Sequence, residues 1–121
     1  MTRLGKGYLG FTLIEVMIVI GILGILALIA IPQFSKYRER SMDAAAKSAL
    51  RNMAVAQENY YYFFNTYTAN RPLLTNLNGW TVESNLIVAI KASSRSSWSA
   101  TARHISSSSS FVYSSSEGGL R

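Results

Sequence analysis

One apolar stretch near the start of the chain constrains its fold more than any other feature. Residues 11–31 contain a single charged side chain, Glu15, and a single hydroxyl, Thr12, and residues 16–31 are all apolar or glycine. At about 1.5 Å per residue, a helix over this stretch is roughly 30 Å long, which matches the hydrocarbon thickness of a membrane. The sequence therefore predicts a membrane-spanning helix with a carboxylate near its first turn.

The carboxylate of Glu15 is costly in that setting. An ionisable side chain costs about 2.5–3.5 kcal/mol at the centre of a bilayer, and less toward its surface. Ionisable residues within membrane helices are candidates for function, each with a partner group to be identified. The alternative is that Glu15 merely snorkels toward the lipid headgroups.

Composition excludes several classes of protein. The chain has 121 residues and no cysteine, which excludes disulfides, thiol catalysis, cysteine metal sites and lipoprotein acylation. The net charge is +6, but the Lys and Arg residues are dispersed, so a nucleic acid partner has no specific support. No carboxylate pair, phosphate-binding glycine loop or metal-ligand spacing is present in the sequence. We therefore predict no enzyme activity, no metal and no other cofactor.

The first ten residues contain Arg3 and Lys6 and few apolar side chains, which is typical of a positively charged cytoplasmic leader. Charge alone leaves the membrane orientation open. Basic residues also follow the apolar stretch, at Lys36, Arg38 and Arg40.

The helical pattern continues after the apolar stretch but becomes amphipathic. Apolar side chains recur every three or four residues at Met42, Ala46, Ala49, Met53, Ala56, Tyr60 and Phe63. Asn, Thr and Pro residues over 65–72 end the helix, and a loop with a short turn near Leu73 follows. We expect residues 35–64 to pack on a head domain over residues 65–121.

Three segments of the head are predicted strands. The first covers 80–83 and 86–92, the second is the alternating segment 98–104, and the third is 111–113. Residues 114–121 are predicted to be a frayed tail. The fold class is therefore α+β: one long N-terminal helix, over about 11–64, has its C-terminal half packed on a small antiparallel sheet of three to four strands.

Two groups of residues each allow two interpretations. Gly21, Gly24 and Pro32 either let helices approach closely and loosen the helix, or are simply tolerated within a membrane helix. A dense aromatic cluster either packs in the core and at subunit contacts, or serves as a relay for electrons. Its residues are Tyr60, Tyr61, Tyr62, Phe63, Phe64 and Tyr67.

The stretch Gly10-Phe11-Thr12-Leu13-Ile14-Glu15 resembles the class III signal of type IV pilins and type II secretion pseudopilins. In that family a short basic leader ends in glycine, and an aromatic residue, T-L-I-E and an unbroken apolar run follow. Pro32 also falls where the pattern has a proline. The resemblance is close over residues 1–55 and covers the remainder in outline, which implies a pilin-like fold.

The resemblance implies a role for each matching residue. A prepilin peptidase would cleave between Gly10 and Phe11, and the new amine of Phe11 would be methylated. Glu15 would then pair with the Phe11 amine of a neighbouring subunit during assembly. Residues 1–10 would be the cleaved leader, 11–34 the membrane and filament-core helix, 35–64 its amphipathic continuation and 65–121 the head.

The implied function is the precursor of a structural subunit of a type IV pilus. It would insert in the bacterial inner membrane with its leader cytoplasmic and its head outside. It would then polymerise with identical subunits, through the pilus assembly machinery, into an extracellular helical filament for motility, adhesion or DNA uptake. Alternatives are a pseudopilin of a type II secretion system, an electron-conducting subunit that uses the aromatic cluster, and a membrane-anchored protein that never polymerises.

Overall fold

The computed structural model describes Gly7 and residues 10–121, so most of the predicted leader, including Arg3 and Lys6, lies outside the described residues. A long helix, α1, is followed by a short helix and four strands. Their bounds are α1 Leu13–Phe64, α2 Arg71–Asn78, β1 Leu86–Ser93, β2 Trp98–His104, β3 Phe111–Ser114 and β4 Gly119–Leu120. This confirms the α+β class, with one long N-terminal helix and an antiparallel sheet.

The chain divides into two compact units, with the boundary between Lys36 and Tyr37. In the first unit, α1 is continuous through Gly21, Gly24 and Pro32. Pro32 removes only its own backbone donor, and the hydroxyl of Ser35 donates to the Pro32 carbonyl oxygen at 2.9 Å. The proposed loss of helix at these residues concerns a packed filament, so it stays a prediction.

The second unit is built on a four-stranded antiparallel sheet in the order β1-β2-β3-β4. Residues Ala89, Thr101 and Val112 lie opposite one another across the first three strands. On β2, buried residues alternate with more exposed ones, as the sequence pattern predicts. This alternation places Trp98, Ala100 and Ala102 on the face of the sheet that packs against α1.

The core of the second unit lies between α1 and this sheet. It consists of Ala46, Leu50, Met53, Ala56, Leu74, Trp80, Leu86, Val88, Trp98, Ala100 and Ala102. The core combines large side chains, such as Leu50 and Trp98, with small ones, such as Ala46 and Ala100. The predicted stripe on α1 was wrong in two places: Leu50 is fully buried, whereas Phe63 is 66% exposed.

Three other expectations about the second unit were wrong. Residues 80–83 are not part of a strand, because Trp80 turns into the core and the Leu86 amide closes a turn onto the Glu83 carbonyl. The short turn near Leu73 is a full helix, α2, with Pro72 in its first turn and Gly79 in the left-handed conformation at its end.

The third concerns the predicted frayed tail, which is ordered. Gly118 and Gly119 have φ angles of 88° and 106°, which favour glycine, and they turn the chain back so that β4 pairs with β3. The backbones of Val112 and Arg121 extend this pairing with hydrogen bonds of 3.0 and 2.7 Å.

The polar side chain of Gln57 is fully buried. Its Nε2 donates to the Thr68 carbonyl oxygen at 2.6 Å, and its Oε1 accepts from the Thr68 amide at 3.1 Å. One carboxamide thus satisfies both backbone groups of Thr68, as a neighbouring strand would. It fixes the segment after α1 against the helix.

We predict that Gln57→Leu lowers the free energy of unfolding of the second unit by about 2–3 kcal/mol, because two buried backbone groups lose their partners. Chemical denaturation of the full chain in micelles, followed by tryptophan fluorescence, measures this. Gln33→Leu is the matched control, since Gln33 is exposed. Equal denaturation midpoints for the two variants would contradict the role of Gln57.

Candidate functional site

The carboxylate of Glu15 closes a capping box at the start of α1. Thr12 immediately precedes the first helical residue, Leu13, and Glu15 is the third residue of the helix. The Thr12 amide donates to Glu15 Oε2 at 2.9 Å, and the Thr12 hydroxyl donates to the same oxygen at 3.1 Å. In return, the Glu15 amide donates to the Thr12 hydroxyl oxygen at 3.2 Å. These bonds satisfy backbone donors that the first turn of a helix leaves without partners.

The box uses only one of the two carboxylate oxygens. Both Thr12 donors reach Oε2, and Oε1 accepts no hydrogen bond from the described residues. No basic side chain of the described part of the chain lies within ion-pair distance of Glu15. The positive end of the helix dipole favours a negative charge here. The carboxylate is therefore held in place while one oxygen remains available to an outside donor.

Gly10 and Phe11 lie before the helix, in backbone without regular structure. Phe11 is 89% exposed and borders a shallow hollow with Glu15, Val16, Ile18 and Val19. A Cβ atom added to Gly10 would meet no other atom within 4 Å. The 10–11 peptide bond is therefore accessible, and a larger residue at position 10 fits the fold.

The apolar side chains that follow Glu15 are exposed on every side of the helix. Examples are Ile18 at 55%, Ile25 at 63% and Leu28 at 77% exposure. Among the described residues, α1 is the helix long and apolar enough to cross a membrane; an 18-residue window of it has a mean hydropathy of 2.9 and no buried residue. Added Cβ atoms at Gly21 and Gly24 also meet nothing within 4 Å. This surface needs lipid or other protein chains to cover it.

The aromatic cluster at the end of α1 is arranged in separate ring pairs. Their centroids are 4.6 Å apart for Tyr60 and Phe64, 4.8 Å for Tyr61 and Tyr67, and 5.3 Å for Tyr62 and Phe63. No ring of the cluster belongs to two of these pairs, so the described residues form no continuous stack within one chain. Packing within the subunit accounts for the observed contacts.

Tyr67 makes a hydrogen bond in addition to its stacking contact with Tyr61. Its hydroxyl donates to the Glu58 carboxylate at 3.1 Å. Partial burial, together with the hydrogen bond and the charge of Glu58, raises the pKa of Tyr67 above its usual value. The hydrogen bond from Tyr67 to Glu58 ties the segment after the helix to α1.

No group of three or more His, Asp or Glu residues in the described part of the chain could hold a metal ion. The buried residue His104 has a structural role, because its Nδ1 accepts the Ser106 amide at 3.1 Å.

From the sequence, Thr12 was identified only as a hydroxyl in an apolar stretch, and its role as the N-cap of α1 was not predicted. The signal was available in the sequence. A threonine followed three residues later by glutamate, just before an apolar run, is the pattern of a capping box. The structure brings together Phe11, Thr12 and Glu15, whereas Gly21, Gly24 and Pro32 lie farther along the helix.

A family model described as the prokaryotic N-terminal methylation motif matches residues 6–31. The chain is also 36% identical over 95 residues to the type IV wide pilus major component PilA4 of Thermus thermophilus. That match covers 78% of this chain and 72% of that protein. Because α1 ends at Phe64, an alignment of this length extends into the second part of the fold.

Two other relatives match over shorter alignments at higher identity. The type IV major pilin protein PilA of Myxococcus xanthus is 52% identical over 52 residues, which covers 43% of this chain and 24% of that protein. The type IV major fimbrial protein FimA of Dichelobacter nodosus is 53% identical over 49 residues, covering 40% of this chain and 31% of that protein. These two alignments span about a quarter to a third of the relatives' own lengths.

We predict that Thr12→Val destabilises the start of α1 by about 1 kcal/mol, because the cap loses its hydroxyl at nearly constant volume. Hydrogen exchange of the amides of residues 13–16, measured in micelles, should become about fivefold faster. Thr12→Ser keeps the hydroxyl and should exchange like the parent chain. If the valine variant exchanged at the parent rate, the capping box would not hold this turn.

Proposed function

The chain belongs to the type IV pilin family, and from this membership we propose that it is the precursor of a structural subunit that polymerises through α1 into an extracellular type IV pilus. The observation that carries the proposal is the first part of α1, an apolar helix exposed on every side with one carboxylate near its start. The pilin and fimbrial names of the relatives favour a pilus over a pseudopilus.

Before assembly, the apolar part of α1 would lie in the inner membrane as a single span. Helical hydrogen bonds pair the backbone groups of its interior, as a lipid environment requires, apart from the Leu28 carbonyl, which loses the donor that Pro32 lacks. In the filament, the same side chains would contact α1 of other subunits. Neither state exposes them to water, so the helix can pass from lipid to protein at little hydrophobic cost.

The Glu15 carboxylate would select the position of each subunit along the filament. Cleavage before Phe11 creates an amine one helical turn from Glu15, and methylation preserves its positive charge. In an apolar filament core the amine of one subunit and the carboxylate of the next attract strongly, while either charge alone is costly. Such a pair discriminates against wrong axial registers, because any other register buries unpaired charges.

The free Oε1 atom supports this pairing. Thr12 donates two hydrogen bonds to Oε2, and no described residue donates to Oε1, which would leave that oxygen for an ammonium donor from another subunit. The capping box would also hold the carboxylate at the helix end while the subunit waits in the bilayer, since two hydrogen bonds offset part of its desolvation. Thr12 would thus act as a positioning residue for Glu15.

Processing would take place at the accessible 10–11 peptide bond. A prepilin peptidase on the cytoplasmic side would release the basic leader, and Phe11 would become the methylated N-terminus. The head, residues 65–121, would lie outside the cytoplasm. Motility, adhesion or DNA uptake would be properties of the assembled fibre and its machinery rather than of one subunit.

We predict that Glu15→Ala reduces the yield of fibres by at least about tenfold, because the amine of the neighbouring subunit would be buried without a partner. Electron microscopy and quantification of sheared fibres measure the yield. Membrane insertion and cleavage should remain intact. Glu39→Ala is the matched control, since it removes an exposed carboxylate beyond the apolar stretch. Normal fibre yield from the Glu15 variant would rule out the pairing.

We also predict that Gly10→Leu abolishes cleavage of the leader. The fold has room for the added side chain, so lost processing would reflect recognition by the peptidase rather than misfolding. Intact-mass spectrometry of the membrane fraction distinguishes precursor from mature chain. Gly7→Leu, at another open glycine, should be processed normally. A mature chain that still began at Phe11 in the Gly10 variant would refute this assignment.

A secretion role predicts different phenotypes from a pilus role. Deletion of the gene should remove long surface fibres if the chain is a pilin. If fibres persist while export of folded proteins is lost, the chain is a pseudopilin.

A further inference from the structure

A cleft runs along α1 in the second unit, between the helix and the segment that follows α2. Its larger hollow has a volume of about 350 Å³ and is lined by Asn52, Val55, Asn59, Asn78, Trp80 and Thr81, among others. A smaller hollow of about 130 Å³ adjoins it and shares Asn52 and Thr81. The two hollows form one elongated site, which we call the α1 cleft. The larger hollow is within the size range of small-molecule sites.

The lining of the α1 cleft combines polar and apolar residues and is almost uncharged. Three carboxamides and the hydroxyls of Ser48 and Thr81 face it, and Glu83 in the smaller hollow is its one ionisable lining residue among those described. Carboxamides carry both donors and acceptors, as sugar hydroxyls do. An anionic or cationic ligand would find no matching set of charges. The chemistry fits a neutral ligand with many hydroxyl groups.

Two of the carboxamides are free to bind. Asn52 and Asn59 are exposed and make no side-chain hydrogen bond to the described residues. They are seven residues apart, so they lie on the same helix face at about 10.5 Å along the axis, a spacing suited to two linked sugar units. Between them Val55 is 62% exposed, which offers an apolar surface for the C–H groups of a sugar ring.

The opposite wall of the cleft is held firmly. Asn78 Nδ2 donates to the Ala56 carbonyl oxygen at 3.0 Å, which ties the end of α2 to α1. The Arg71 guanidinium lies 5.8 Å from the centre of the Trp80 ring, and Trp80 itself is buried. These contacts keep the cleft formed without a ligand, which reduces the entropy lost on binding.

We propose that the α1 cleft binds a neutral oligosaccharide. Asn52 and Asn59 hydrogen-bond the hydroxyls of successive sugar units, Thr81 binds from the opposite wall, and Val55 packs against a ring. The site does not depend on polymerisation, because all of its residues belong to the second unit of one chain.

The test is a titration of the full, unassembled chain with maltotetraose and, separately, with cellotetraose. The chain is held in micelles of a phosphocholine detergent, because the headgroup of a maltoside detergent is itself a sugar. Binding is followed by NMR shifts of backbone amides. We expect saturable shifts confined to residues 48–59 and 78–83, with a dissociation constant on the order of 1 mM for at least one sugar.

Asn52→Ala and Asn59→Ala should each weaken binding about fivefold, because each removes one or two hydrogen bonds to the sugar. Both residues are exposed, so the tryptophan fluorescence of the fold should stay the same. Asn76→Ala is the matched control: Asn76 is an exposed carboxamide on α2 outside the cleft, and its loss should leave binding unchanged.

Two results would overturn the proposal. One is the absence of saturable shifts with both sugars. The other is binding that both cleft variants leave unchanged. If the parent chain binds neither sugar and both cleft variants lower the fibre yield, the cleft is instead an interface with a second copy of the chain. Because the titration uses unassembled chain, these outcomes are independent of whether Glu15 directs polymerisation.

Discussion

The structure depends on one constraint: nothing in the described chain covers the apolar side chains that surround the first part of α1. Removing them from water requires lipid or other protein chains. The helix already pairs its backbone groups internally, so either environment accepts it. Under the proposed function, one segment would therefore serve both as a membrane anchor and as the core of a filament. A helix with one apolar face would suit neither use, because its polar face would be buried unsatisfied.

The part of α1 that follows Lys36 is amphipathic, so its apolar side chains are buried in a different way. Only a narrow stripe of it, including Leu50 and Met53, is covered, and the sheet supplies the cover. Its polar contacts are as important as the apolar ones. Gln57 pairs with the backbone of Thr68, and Asn78 pairs with that of Ala56, so the connection after the helix is fixed by carboxamides. The contact between Asn78 and Ala56 also joins two residues that line the α1 cleft.

The sequence predicts those parts of the fold in which one physical signal dominates. The apolar run predicts α1, and the alternation over 98–104 predicts β2 with its correct inward face. Where a residue's role depends on a distant partner, local pattern fails. Gln57 looks like a surface residue until Thr68 is placed beside it, and Trp80 looks like a strand residue until the core is assembled. Phe63 satisfies the helical spacing but lies beyond the part of α1 that the sheet covers.

At Glu15, too, the sequence predicts one part of the residue's role and the structure is needed for the other. The sequence identifies Glu15, because it is a charged residue in an apolar run. Only the structure shows that its two carboxylate oxygens have different hydrogen-bond partners. Oε2 is committed to Thr12, which stabilises the start of the helix in any environment. No described residue donates to Oε1, so in the proposed filament a cation from another subunit would bind there without breaking the cap. Under the proposed function, local folding and assembly would therefore not compete for the same carboxylate oxygen, and a subunit would keep its helix cap when it joined a filament.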